Sequence, residues 1–201
     1  MTAEGFDLTI IDSGGANLAS LRFALERLGA SSTVSSDPAV IRAARRVLLP
    51  GVGAAGDAMA RLRATGLDQE IPRLTQPLLG ICLGMQLLFA NSEEGHTPCL
   101  GVIDGHVRRL IGSSERPVPH MGWNNFTPVR NDPLLRDFGP DDFVYFVHGY
   151  AADVGAHTLA STEYGSTFSA VVRRDNFWGV QFHPERSAIA GARLLKNFLE
   201  L

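Results

Sequence analysis

The sequence predicts an α/β domain: a mostly parallel central sheet flanked by helices, with antiparallel strand extensions in the second half. Three observations predict it. Short apolar runs alternate with helical stretches through residues 8–89, a βαβα rhythm that suits parallel strands covered by helices. The second half carries strand-like runs with no helices between them. One amphipathic stretch, 188–199, closes the chain. With 201 residues and 45% hydrophobic content, the chain suits a single domain, 1–201, with a sizeable core.

The elements follow in order. Residues 8–11 read as a strand. Leu18, Leu21, Leu25 and Leu28 recur at helical spacing, and Gly29 follows as the residue that ends that helix. Residues 33–35 form a short strand. Asp37 is placed to cap a helix that opens on Pro38. A strand at 47–49 leads to a helix at 54–64, stopped by Gly66. Residues 78–81 read as a strand, and the good helix formers beyond Cys82 carry a helix to Phe89. Later strands are expected at 107–110, 126–127, 143–147, 168–173 and 178–182. Residues 113–120 and 128–142 are loops punctuated by Pro and Asp.

Composition narrows the function. A formal charge of -3 gives no electrostatic case for a nucleic-acid partner. No run approaches the ~20 apolar residues that span a bilayer. The opening residues carry Glu4 and Asp7 and no basic segment, unlike a signal peptide. The two cysteines, Cys82 and Cys99, are too few for a disulfide framework and lack the spacing of a metal site. A reducing cytoplasm is the expected location, where a free thiol survives.

Gly80-Ile81-Cys82-Leu83-Gly84 is a G-x-C-x-G segment with a strand before it and a helix after it. That is the layout of a nucleophile elbow with cysteine in place of serine, whose tight turn needs small neighbours. The helix N-terminus favours thiolate, and the Leu83 N–H can donate to an oxyanion. Alone, the segment is equally compatible with a buried core cysteine. A thiol nucleophile needs a base, because only a few per cent of an ordinary thiol is ionised at neutral pH. "QFHPERS", 181–187, supplies one. His183 and Glu185 leave the same face of an extended segment, and Pro184 biases His183 toward that geometry. Glu185 can then orient His183 while the second ring nitrogen takes the thiol proton.

Gly51-Val52-Gly53-Ala54-Ala55-Gly56 is a literal G-x-G-x-x-G between a strand and a helix, so a dinucleotide site must be weighed. Pro50 interrupts the turn, the acidic residue some 20 positions on is Glu70 ahead of Ile71-Pro72, and the next strand ends at Cys82. All three count against a nucleotide. The competing reading is an oxyanion loop, in which Gly51 or Val52 turns an N–H into the site. One such donor is worth ~3–4 kcal/mol in the transition state.

G-x-C-x-G followed much later by H-P-E resembles the class I, triad-type glutamine amidotransferases. "IDSGGANLASL", "LLPGVGAAGDAM", "GICLGMQLLFANSEEG", "PHMGWN", "YFVHGY" and "GVQFHPERS" resemble, more narrowly, the glutaminase subunits of imidazole glycerol phosphate synthase. The likeness covers nearly the whole chain and implies a class I glutamine amidotransferase-like fold. It implies that Cys82 attacks the glutamine side-chain amide, that His183 serves as base and then acid, and that Glu185 orients His183. Gly51, Val52 and Leu83 would stabilise the oxyanion. Gln86, Glu94, His148 and Tyr150 would hold glutamine. No cofactor or metal is implied. The partner would be a (β/α)8-barrel cyclase, which uses the ammonia to make imidazole glycerol phosphate and aminoimidazole carboxamide ribotide in histidine biosynthesis. Asn17, Trp123, Tyr145 and Arg186 are expected at the face toward it. Ser13 stands where such subunits often have tyrosine, and Gly149 where they often have serine. A stand-alone cysteine amidohydrolase of the same fold is the alternative.

Overall fold

The computed structural model describes residues 8–14 and 18–201. In chain order, β1 (Thr9–Ile11) leads to α1 (Leu18–Arg27), β2 (Thr33–Ser35), α2 (Pro38–Ala43) and β3 (Val47–Gly51). Then come α3 (Ala55–Ala64), α4 (Leu67–Glu70), β4 (Leu78–Cys82), α5 (Leu83–Leu87) and β5 (Phe89–Ser92). β6 (Thr97–Pro98), β7 (Ile103–Arg109), β8 (His120–Asn125), β9 (Thr127–Pro128) and β10 (Phe143–His148) follow. The chain ends with β11 (Tyr150–Ala152), β12 (Thr158–Tyr164), β13 (Ser166–Arg174), β14 (Phe177–Val180) and α6 (Ala188–Leu199).

Eight strands form the main sheet in the order β2-β1-β3-β4-β14-β13-β12-β9. The pairs from β2 to β14 are parallel, and those from β14 to β9 are antiparallel. All five residues of β3 and of β4 are buried because both faces are covered, as strands inside a parallel sheet must be. One apolar cluster holds Leu25, Phe146, Phe182 and Leu194, and the other holds Leu49, Met59, Leu62 and Met85. The local signals act as expected. The Asp37 carboxylate accepts from the Ala39 N–H at 2.8 Å, and Gly29 takes φ +77° beyond α1.

Three expectations are corrected. The helix beyond Cys82 ends at Leu87 and Phe89 opens β5, because Phe89 packs beneath Gly105 of β7. Phe126 lies between β8 and β9, its ring stacked 5.7 Å from Phe182 in the core. The later strands do not all extend one sheet. β7 joins the four-stranded sheet β11-β7-β5-β6, and β10 pairs with β8 alone.

The strand order positions the site. β4 lies between β3 and β14, with Gly51 opposite Cys82 on one side and Val180 opposite Ile81 on the other. The ends of all three strands meet at the C-terminal edge, where open α/β sheets bind ligands.

Candidate active site

Cys82 sits between β4 and α5 at φ 54°, ψ -112°, a conformation costly for any side-chain-bearing residue. The packing around it requires glycine. A Cβ on Gly84 would lie 1.7 Å from the Leu49 carbonyl oxygen, and one on Gly51 2.8 Å from the Gly84 nitrogen. The elbow is thereby pressed against β3, and the residues expected to stabilise an oxyanion are drawn beside the cysteine. Ser13, which is buried, donates its hydroxyl to the Pro50 carbonyl at 2.9 Å and ties the β3 end to the first loop.

His183 follows β14. Its N–H donates to the Tyr145 carbonyl at 2.9 Å, and its carbonyl accepts from the Ser187 hydroxyl at 2.7 Å. Nδ1 of the ring is 2.9 Å from the Glu185 carboxylate. That leaves Nε2 to take the thiol proton of Cys82, which lines the same cavity. Burial works against charge on the imidazole, but the hydrogen bonds to Cys82 and Glu185, with the charges of those partners, outweigh it. The pKa rises from 6.5 to about 10. A proton that passes from the thiol to His183 is therefore held there, ready for a leaving group.

A cavity of about 270 Å³ opens over the sulfur. Cys82, Leu83 and His183 line it, together with the four residues expected to hold substrate: Gln86, Glu94, His148 and Tyr150. Val52 lines both this cavity and a second one of about 330 Å³ on its other side, toward Ser20 and Glu185. The Glu94 carboxylate also accepts from the Ala55 N–H at 2.8 Å, at the start of α3. A carboxylate thus already takes an N–H at the helix end where the pyrophosphate of a dinucleotide would bind, which counts against that ligand at the glycine loop.

His148 is buried. Desolvation lowers its pKa to about 3 against the support of its hydrogen bond to the Tyr150 carbonyl, and the neighbouring His120 and His183 add to the lowering. His120 Nδ1 lies 3.1 Å from His148 Nε2, and burial brings His120 down to about 4. Both rings are neutral at pH 7. Cys99, by contrast, is pushed up by burial to about 11 and lies outside the cavity.

Trp123 is 53% exposed, not a core aromatic, and meets Tyr145 edge to face at 5.7 Å. The Arg186 guanidinium lies 4.7 Å over the Tyr145 ring. Met121 and Phe143, exposed on the same β8–β10 ribbon, widen this patch. These three expected partner-face residues thus come together beside the cavity. Asn17 lies outside the described residues. Sequence reasoning passed over two buried residues at the site, Gln181 and Ser187. Both stand inside "QFHPERS", and an uncharged polar residue flanking a triad segment was the available signal.

The family model "Glutamine amidotransferase class-I" matches residues 9–201. "Imidazole glycerol phosphate synthase subunit HisH" of Xanthomonas campestris pv. campestris is 54% identical over 195 residues, covering 97% of this chain and 98% of that protein. The protein of the same name from Vibrio cholerae serotype O1 is 50% identical over 201 residues, covering 97% and 98%. Among solved structures, one titled "Crystal structure of glutamine amidotransferase" superposes with TM-score 0.75 at 20% identity, covering 96% of this chain and 97% of the other. "Structure of PurLQS from Thermotoga maritima" gives 0.71 at 21%, with the same coverage. At that identity the two structures speak for the fold alone.

Proposed function

Because the chain belongs to the class-I glutamine amidotransferases, and within them to the HisH subunits of imidazole glycerol phosphate synthase, we propose that Cys82, His183 and Glu185 are the residues with which it hydrolyses glutamine. Cys82 attacks the side-chain carbonyl carbon and its proton passes to His183. The carbonyl oxygen becomes an oxyanion, met by the Leu83 N–H and by an N–H of the Gly51-Val52 segment. His183 returns the proton to the departing ammonia, and Glu185 steadies the imidazolium throughout. Water, deprotonated by the same imidazole, then releases glutamate from the thioester. Gln86, Glu94, His148 and Tyr150 hold the substrate. His148 does so as a neutral ring, its Nδ1 2.8 Å from the Tyr150 carbonyl.

The observation that carries this reading is the strand order β3-β4-β14, which sets the glycine loop, the thiol and the H-P-E turn side by side. Ammonia passes to a (β/α)8-barrel cyclase seated on the Trp123–Tyr145–Arg186 patch, in a heterodimer working in the cytoplasm. No helix among the described residues is long and apolar enough to cross a membrane.

The test is glutamate release from glutamine, by the chain alone and with the barrel cyclase and its nucleotide ligand. Activity that needs the cyclase and vanishes in Cys82→Ala supports the reading. Equal activity with and without the cyclase points to a stand-alone amidohydrolase, and activity surviving in Cys82→Ala removes the nucleophile assignment.

A further inference from the structure

Gln181 is fully buried at the end of β14, two residues before His183. Its side chain joins a short relay. Gln86 Nε2 lies 2.8 Å from the Tyr150 carbonyl oxygen and 2.9 Å from Gln181 Oε1, and Gln181 Nε2 lies 3.7 Å from Cys82 Sγ. The direction of the relay is forced. A backbone carbonyl only accepts, so the end of Gln86 facing Tyr150 must be its NH2 group. The second hydrogen of that group needs an acceptor, so Gln181 presents its oxygen to Gln86. The NH2 of Gln181 then faces the sulfur. Turning either amide would set two oxygens, or two NH2 groups, against each other.

We propose that Gln181 is a hydrogen-bond donor to the Cys82 sulfur, held in that orientation by Gln86 and the Tyr150 carbonyl. Its work comes when the thiol proton moves to His183. The bond formed by neutral groups is weak, but once the sulfur carries charge it becomes charge-assisted and stronger. As the sulfur attacks and its charge moves to the substrate oxygen, the contact relaxes. An apolar side chain of the same size would fill the space without the cost of burying an amide. Gln86, with both hydrogens committed, has only its oxygen left to offer a ligand in the cavity.

The inference rests on Cys82 being the nucleophile, and its test reads the sulfur directly. Alkylation of Cys82 by iodoacetamide is followed against pH by mass spectrometry, with Cys99 as the internal reference. The variants are Gln181→Met, which removes the donor, and Gln181→Glu, which keeps the acceptor for Gln86 but sets a carboxylate beside the sulfur. The other ionisable groups nearby, His183 backed by Glu185, His148, Glu94 and Arg186, are the same in every variant. The midpoint of the profile, a property of the Cys82–His183 pair, should move up by about one pH unit in Gln181→Met and further in Gln181→Glu. The rate below the midpoint should fall about tenfold while the high-pH plateau stays. Gln86→Leu, which frees the Gln181 amide to turn, should shift the midpoint in the same direction by less. A lowered plateau with an unmoved midpoint means that Gln181 only fills space, and overturns the proposal. If both variants fail to fold, the wild type still decides. The Gln181 side-chain amide nitrogen signal should respond to Cys82 alkylation, and a signal that ignores it overturns the proposal. Glutaminase activity in Cys82→Ala would instead remove the nucleophile assignment, an outcome the alkylation profile cannot imitate.

Discussion

Removing one oxygen from Ser187 should both destabilise the protein and slow it. Ser187 is fully buried, and its hydroxyl accepts from the Tyr145 N–H at 2.9 Å while donating to the His183 carbonyl at 2.7 Å. The Tyr145 carbonyl in turn accepts from the His183 N–H, so both polar groups of that residue face the H-P-E turn and not β8. In Ser187→Ala the His183 carbonyl keeps the Arg186 N–H at 3.0 Å, but the Tyr145 N–H loses its partner. A buried donor left unpaired costs ~1–3 kcal/mol. At ~2–4 °C per kcal/mol for a chain of this length, the midpoint of thermal unfolding should fall by about 2–12 °C. The turn that aims His183 is loosened at the same time, so kcat for glutamate release should fall about 10- to 100-fold with KM little changed, as for a loss felt only in the transition state. Calorimetry and steady-state kinetics on the same preparation check both. A variant that melts within ~1 °C of wild type and keeps its kcat would refute the claim that this hydroxyl positions the base.

Gly84→Ala would place a methyl 1.7 Å from the Leu49 carbonyl oxygen, against backbone that cannot yield without moving β3 or the elbow. Turnover should drop at least ~100-fold and stability by more than ~3 kcal/mol; a soluble variant with wild-type turnover would contradict the packing argument. The His120–His148 pair makes stability depend on pH, because both folded values, about 4 and about 3, lie below the unfolded 6.5. Above 6.5 nothing is lost. As pH falls below it, the unfolded chain takes up two protons that the folded chain refuses, a cost of about 4 kcal/mol at pH 5 relative to pH 8. His183, raised to about 10, acts in the opposite sense. Its contribution is complete below 6.5 and is lost as pH rises through 10. Urea unfolding in a His183→Asn background isolates the pair, and a stability flat from pH 8 to 5 there would refute its neutrality.

How far these features could be read without coordinates differs from residue to residue. The first half was legible because its signals are local: Asp37 ahead of Pro38, leucines every three or four residues, and glycine where φ turns positive beyond a helix. The elbow was legible for the same reason, since its small residues lie within five positions. The helix after Cys82 was read too long because Leu87, Leu88 and Phe89 are apolar at any period, and a short run cannot tell a buried helix from a buried strand. Tertiary packing under β7 decided for the strand. Which sheet each later strand would join was illegible. Pairing between residues as distant as Asn91 and His106, or Trp123 and Tyr145, leaves no mark on either segment.

The triad was legible in a different way. Neither G-x-C-x-G nor H-P-E is strong alone, and what joined them was chemical need: a thiol wants a base, and the base wants an orienting acid. The fold meets that need through β4 and β14, adjacent and parallel although some hundred residues apart. The same adjacency brings Gln181 to the sulfur, yet no comparable need pointed to it, because an amide does not titrate and a triad is complete without it. The outer face of the site divides along similar lines. Trp123 by itself reads as core, and only the β8–β10 pairing, which sets it beside Tyr145 under Arg186, shows an aromatic patch turned to solvent. One strand, β10, carries Tyr145 of that patch and also touches the triad. The Tyr145 carbonyl holds the His183 backbone, and the Val147 carbonyl lies 3.7 Å from Cys82 Sγ. On the reading proposed above, a subunit docked against β10 therefore bears on a strand in direct contact with both the nucleophile and the base. A docked partner can favour the working geometry to the extent that it binds that geometry better than the others the free chain visits.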